Sequence, residues 1–193
     1  MVVKQGAMRS LWIFFLALFL CLLPVSANAQ TVTSFSGLRN LSGGPNVSWQ
    51  ADRAEKGTVL VFLSSKCPCS ASHEKALRKL FEEYKDFRFI GLHSNQDESL
   101  SDATAYFKEV ALPFPVAQDV GAKLADAFAA FKTPHVFLIS PTGDRLFSGG
   151  IDNSKDHDRA SEHYLRNALA AVRAGRRPDP DRVRALGCVI QRK

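Results

Sequence analysis

Six consecutive residues, Thr58-Val59-Leu60-Val61-Phe62-Leu63, are β-branched or apolar at every position and carry no charge. Such a run has two faces to bury, so it reads as a central strand covered on both sides. It leads through Ser64-Ser65-Lys66 into Cys67-Pro68-Cys69, and then into a helical stripe of Ala76, Leu77, Leu80, Phe81 and Tyr84. Glu74, Lys75, Arg78, Lys79, Glu82 and Glu83 occupy the rest of that helix. Residues 87–92 read as the next strand. A strand, a helix and a strand of these lengths form a right-handed βαβ crossover.

The same reading continues along the chain. Residues 97–110 predict a second helix, with Leu100, Ala103, Phe107 and Val110 inward. Pro113-Phe114-Pro115-Val116 is extended, because each proline keeps its predecessor out of the helical region. Residues 121–131 predict a third helix. Thr133-Pro134 precedes a strand over 135–139, Pro141-Thr142-Gly143-Asp144 is a turn, and residues 145–150 return as the paired strand. Residues 152–159 form a charged loop, and 159–173 the last helix. Residues 30–57, rich in Ser, Gly and Asn, hold a leader and a short strand or hairpin. The order β-α-β-α-β-α-β-β-α predicts an α/β sandwich with parallel strands first and an antiparallel hairpin last.

The amino terminus has its own signature. Lys4 and Arg9 precede an apolar stretch from Leu11 to Leu23, and Pro24 and Ala27-Asn28-Ala29 follow. A basic start, a short apolar segment and small residues at an A-x-A site predict a secretory signal peptide over residues 1–29. The apolar run is shorter than the roughly 20 residues a membrane span needs. The expected location is the periplasm, and the remaining chain suits one domain. Cleavage removes Lys4 and Arg9, which lowers the net charge of +6 to about +4. That excess, with no nucleic-acid motif, argues against nucleic acid as a partner. The basic stretch 175–193 forms a tail that offers an anionic membrane surface a contact.

Cys21 leaves with the leader, so the exported chain keeps Cys67, Cys69 and Cys188. In an oxidising compartment an odd count implies a disulfide plus a free thiol, an intermolecular bond, or a metal site. Cys67 falls at the N-cap of its helix, with Pro68 at N1, where a missing N–H costs nothing. The helix N-terminus and the neighbouring Lys66 favour its thiolate, which makes Cys67 the expected nucleophile. Cys69 lies about 200° around the helix from Cys67, so its sulfur is expected to point elsewhere. Cys188, on the tail, is the alternative partner. Thr133 and His135 fall on the same side of a strand if alternation holds through Pro134. His73 falls at the boundary of its helix, while His93, His157 and His163 belong to no constellation and are expected in solvent.

At this point the sequence resembles the thioredoxin superfamily. The matching features are the buried strand running into Cys67 at a helix start, Thr133-Pro134 before the late hairpin, and the Gly143-Asp144 turn within it. The added helix and extended segment between residues 97 and 118 resemble the redoxin branch, which holds TlpA-like and AhpC/TSA-like proteins. Leu186-Gly187-Cys188-Val189-Ile190 resembles the Gly-Cys-x-Ile tail of some exported members. The resemblance implies a thioredoxin-like three-layer α/β/α sandwich with a mixed central sheet over residues 30–174, followed by the tail that carries Cys188. It also implies that Thr133 and Pro134 lie opposite Cys67. The chain departs from the C-x-x-C pattern: Ser70 stands at the second cysteine's place, and Cys69 is one residue early.

Three activities follow as expectations. The first is exported thiol–disulfide exchange, with Cys67 attacking and Cys69 or Cys188 resolving, on protein thiols or disulfides and with a reductant or oxidant protein as partner. The second is a Cu(I) chaperone resembling the Sco type, with Cys67, Cys69 and His135 as ligands. The third is a thiol peroxidase at Cys67, for which Leu60 stands where a proline is wanted and Arg145 is the candidate activating arginine. Nothing in the sequence calls for an organic cofactor.

Overall fold

Residues 32–52 and 55–193 are described by a computed structural model, and the expected signal peptide lies outside them. The apolar run 58–63 is the centre of the fold. β3 (Thr58–Leu63) is buried at all six positions. It pairs in parallel with β4 (Arg88–His93), which pairs in parallel with β5 (Val116–Gln118). On its other side β3 pairs antiparallel with β7 (His135–Ile139), and β7 with β8 (Arg145–Gly149). The five-stranded sheet therefore runs β5-β4-β3-β7-β8, mixed as expected.

Alternation along β3 feeds two cores. Val59, Val61 and Leu63 face a cluster with Leu77 and Leu80 of α1 (Pro68–Glu83), Phe107 of α2 (Leu100–Val110), and Leu165 and Leu169 of α4 (Tyr164–Arg173). Leu60 and Phe62 face the opposite cluster, with Phe128 of α3 (Lys123–Phe128) and Val47 and Trp49 of β2 (Val47–Gln50). β2 forms an antiparallel hairpin with β1 (Ser34–Leu38), and Trp49 Nε1 donates to Thr58 Oγ1 at 2.9 Å to fasten it to the sheet. Covering both faces makes the three layers.

Three helices are shorter than the sequence predicts, each for a local reason. α2 starts at Leu100, not 97, because Ser99 caps it by accepting from the Asp102 amide at 3.1 Å. α3 is limited to six residues by left-handed conformations at Ala122 (φ 53°) and Ala129 (φ 54°). α4 starts at Tyr164, because residues 157–159 form a separate 3-10 turn capped by Asp156 and Ala160 is extended.

Two short strands complete the fold beside the thiols. β6 (Lys132–Thr133) pairs antiparallel with β9 (Cys188–Val189), so the tail folds back as part of the structure. Ile190, directly after β9, is buried in the second core. Earlier in the tail, the Val183 amide donates to the Ser148 carbonyl of β8 at 3.0 Å.

Candidate active site

β3 delivers the chain into Ser64-Ser65-Lys66, and Cys67 is the N-cap of α1 with Pro68 at N1. The first-turn amides of a helix are unpaired and point toward such a residue, which favours negative charge there. The Cys67 thiol donates to the Thr133 carbonyl at 3.0 Å. Thr133 ends β6, the Thr133–Pro134 peptide is cis, and Thr133 is register partner to Cys188 of β9. Three elements thus converge, and the sulfurs of Cys67, Cys69 and Cys188 all lie within 4.8 Å of one another. All three are free thiols in this structure.

The three thiols are electrostatically unequal. Burial pushes Cys67 up, but hydrogen bonds from the Cys188 thiol, the Thr133 side chain and the Ser70 and Cys188 backbone outweigh it and bring the group down to about 7. Burial and the charge on Cys67 push Cys69 up. Burial, the hydrogen bond with Cys67 and the Cys67 charge push Cys188 up to about 12. The first proton therefore leaves Cys67. The buried Thr133 hydroxyl has no hydrogen-bond partner while the Cys67 thiol donates to the Thr133 carbonyl. Once Cys67 is a thiolate, that hydroxyl is a nearby donor for it.

Several expectations change here. Cys69 does not point away: its sulfur joins the cluster. The 100° helical step starts only after the cap, and Cys67 is extended (φ −84°, ψ 114°). Lys66 is exposed and is not among the groups that lower Cys67. His135 does not join the thiols. It belongs to β7, pairs with Phe62 and packs on Phe137 with ring centroids 4.6 Å apart, while Thr133 belongs to β6. Alternation does not carry through Pro134, because the two residues serve different sheets. Arg145 acts on His135 rather than on Cys67: burial and the Arg145 charge together lower His135 to about 4.

A buried carboxylate supports the loop before Cys67, and the sequence reading missed it. Glu98 accepts from the Ser64 hydroxyl at 2.5 Å, from the Ser65 amide at 2.8 Å and from the Ser65 hydroxyl. Asn95 Nδ2 donates to it at 2.5 Å, and His93 Nε2 lies 3.0 Å from it. Burial opposes its charge, yet the bonds from His93, Ser64, Ser65 and Asn95 hold it well below the usual carboxylate range. Asn95 also accepts from the Gln191 amide at 3.3 Å, which ties the same cluster to the chain just after β9. His93 and His73 are buried, and His157 is half-buried, where solvent or a boundary was expected. Their carboxylate partners lie on loops: Asp152 is 79 positions from His73, while Glu98 is only five positions from His93 and Asp152 only five from His157.

A buried mixed sheet with a cysteine at a helix N-terminus opposite a cis-proline defines a thioredoxin-like fold. The profile of the Redoxin family matches residues 27–158. The chain belongs to the Redoxin family, in the redoxin branch of the thioredoxin superfamily. No curated protein matches its sequence. Among solved structures it is similar to an uncharacterized conserved protein from Geobacillus kaustophilus, with TM-score 0.73, 24% identity, and 83% of this chain and 89% of the other covered. A hypothetical protein from Sinorhizobium meliloti 1021 gives TM-score 0.69 and 22% identity, covering 84% of this chain and 96% of that one. MTB dsbF, solved in mixed oxidized and reduced forms, gives TM-score 0.55 and 14% identity, covering 75% and 97%. These likenesses are likenesses of fold.

Proposed function

We propose that this protein is an exported thiol–disulfide oxidoreductase in which Cys67 attacks and Cys188 resolves. The observation that carries the reading is the convergence of Cys67 and Cys188 at the helix N-terminus, one thiol lowered to about 7 and the other raised to about 12. The Cys67 thiolate attacks one sulfur of a substrate disulfide. A mixed disulfide forms and the other substrate sulfur leaves as a thiolate. Cys67 no longer carries charge, so its share in raising Cys188 is gone, while burial remains. Cys188 then loses its proton and attacks the Cys67 sulfur, releasing the second substrate thiol. The protein keeps a Cys67–Cys188 disulfide, and two electrons have passed to the substrate. A dithiol partner resets the pair by the reverse chemistry. Cys69, in the same cluster with a raised thiol, is the second candidate for resolution.

Disulfide mapping of exported protein by mass spectrometry of a non-reduced digest tests this. A Cys67–Cys188 link is expected, on a chain beginning at Gln30. A Cys67–Cys69 link would transfer the resolving role, and a Cys67→Ser protein that exchanges disulfides at the wild-type rate would end the reading.

The third sulfur supports a second reading. Three thiolates within 4.8 Å suit Cu(I), with Cys188 taking the place first given to His135. Reduced protein that takes no Cu(I) from a competing chelator removes it. The peroxidase reading has no arginine among the groups that shift Cys67.

A further inference from the structure

A second set of ligand-type side chains lies apart from the thiols. We propose that His73, Asp152 and His157 bind a divalent transition-metal ion through two imidazole nitrogens and one carboxylate, with Zn2+ as the probe. One ligand atom from each residue lies within 4.8 Å of the other two. His73 projects from α1, Asp152 follows β8, and His157 opens the 3-10 turn of residues 157–159. The chain thus brings them together from three separate elements.

The orientation of His73 fits this role. Its Nδ1 lies 2.7 Å from the Cys69 carbonyl oxygen, which can only accept, so Nδ1 carries a proton. That leaves Nε2 directed at Asp152 Oδ1, 3.0 Å away. Metal-binding histidines usually donate their other N–H to a carbonyl or carboxylate in this way, which fixes the ring and its tautomer. Asp152 is similarly fixed: its Oδ1 also accepts from the Ser154 amide at 2.9 Å, and its Oδ2 faces His157 Nδ1 at 2.8 Å.

The spacing is close to what a tetrahedral ion requires. Metal–ligand lengths of about 2.0–2.2 Å place neighbouring donor atoms about 3.3–3.5 Å apart. The two nitrogen–oxygen separations here, 3.0 Å to Asp152 Oδ1 and 2.8 Å to Oδ2, run to different oxygens, so the carboxylate must either chelate through both or turn to offer one, with the contacts opening by a few tenths of an ångström. The two imidazoles must approach one another, and His157, with 24% of its side chain exposed, can move to do so.

The charge also fits. The Asp152 side chain is fully buried, and a buried carboxylate needs a positive partner. A bound dication would supply that partner. A cavity of about 130 Å³ beside His157, lined also by Ile151, His163 and Arg166, leaves room for water or a further ligand. The His163 ring centroid is 5.6 Å from that of His157. The nitrogen and oxygen donors suit Zn2+, whereas the sulfur cluster suits Cu(I). His73 bonds the Cys69 carbonyl, so an ion here would anchor the first turn of the thiol-bearing helix.

The test uses the full chain with Cys21, Cys67, Cys69 and Cys188 all replaced by Ser, titrated with Zn2+ by calorimetry. One equivalent should bind, and His157→Ala should weaken binding at least tenfold. Absence of binding in the folded cysteine-free chain, or binding unchanged by His157→Ala, overturns the proposal. Should the cysteine-free chain fail to fold, Co2+ added to the wild-type chain decides the question by absorption. A bound-Co2+ d–d spectrum that His157→Ala abolishes supports the proposal, and a spectrum that variant leaves unchanged overturns it.

Discussion

Thr133 pairs with Cys188 across the antiparallel β6–β9 ladder, and the Thr133 carbonyl accepts the Cys67 thiol. One residue therefore holds the nucleophile and its proposed resolving partner in register. The arrangement also closes the site: Cys67 is only 3% exposed. The proposed substrate would need a neighbouring segment to move before it reached that sulfur, and the β9 segment is the candidate. β9 has two residues, so few backbone bonds hold it.

Gly187→Ala tests that cover without removing a thiol. Gly187 has φ 154°, and a Cβ there would collide with the Thr133 carbonyl oxygen. The tail must lift or the residue must strain. The expected result is faster alkylation of Cys67 by iodoacetamide, by about tenfold or more, with far-UV circular dichroism unchanged. An unchanged alkylation rate would show that β9 does not limit access.

Thr133→Val separates the hydroxyl from the backbone at the same residue. The hydroxyl is buried without a partner while Cys67 is protonated, so its removal should leave stability within about 1 kcal/mol. It should, however, raise the Cys67 thiol above about 7, because one group that favours the thiolate is lost. Thiolate absorbance against pH reads this directly. A midpoint that stays in place would mean that Cys188 and the Ser70 amide suffice.

Cys188→Ser distinguishes resolution from packing. In the proposed sequence the mixed disulfide forms but nothing displaces it, so a Cys67-linked substrate adduct should accumulate on non-reducing gels. Cys69→Ser should release substrate at close to the wild-type rate. If Cys69→Ser is the variant that accumulates adduct, the resolving role belongs to Cys69.

The fold was legible because β3 is uniformly apolar and the helices after it are amphipathic; both patterns are local. Cys67 was legible for the same reason, as a cysteine placed between a strand and Pro68. Helix ends were less so, since left-handed Ala122 and Ala129 leave no mark in a sequence. The supports of the site were not legible at all. Glu98 reaches Ser64 across 34 positions, and His73 reaches Asp152 across 79. Both pairings arise from loop packing that periodicity does not report. His135 shows the opposite error: a neighbour in sequence to Thr133, it serves a different sheet.

Glu98 gives the last prediction, in stability rather than chemistry. Its carboxylate satisfies donors on both residues that follow β3, and its folded-state proton affinity lies far below the ordinary 4.5. A depressed carboxylate contributes stability that is fully present above its unfolded value and is lost as pH falls toward the folded one. Glu98→Gln keeps the shape but removes the charge, leaving His93 and the serines with a weaker partner. Urea unfolding at pH 7 should show a loss of about 3 kcal/mol. The gap between wild type and variant should then narrow as pH falls below 4.5, because only the wild type has this carboxylate to protonate. Cys67 should also alkylate faster in Glu98→Gln, since Asn95 bonds both Glu98 and the Gln191 amide beside β9. A stability gap that is constant from pH 7 to pH 3 would show that the charge of Glu98 does not hold the loop.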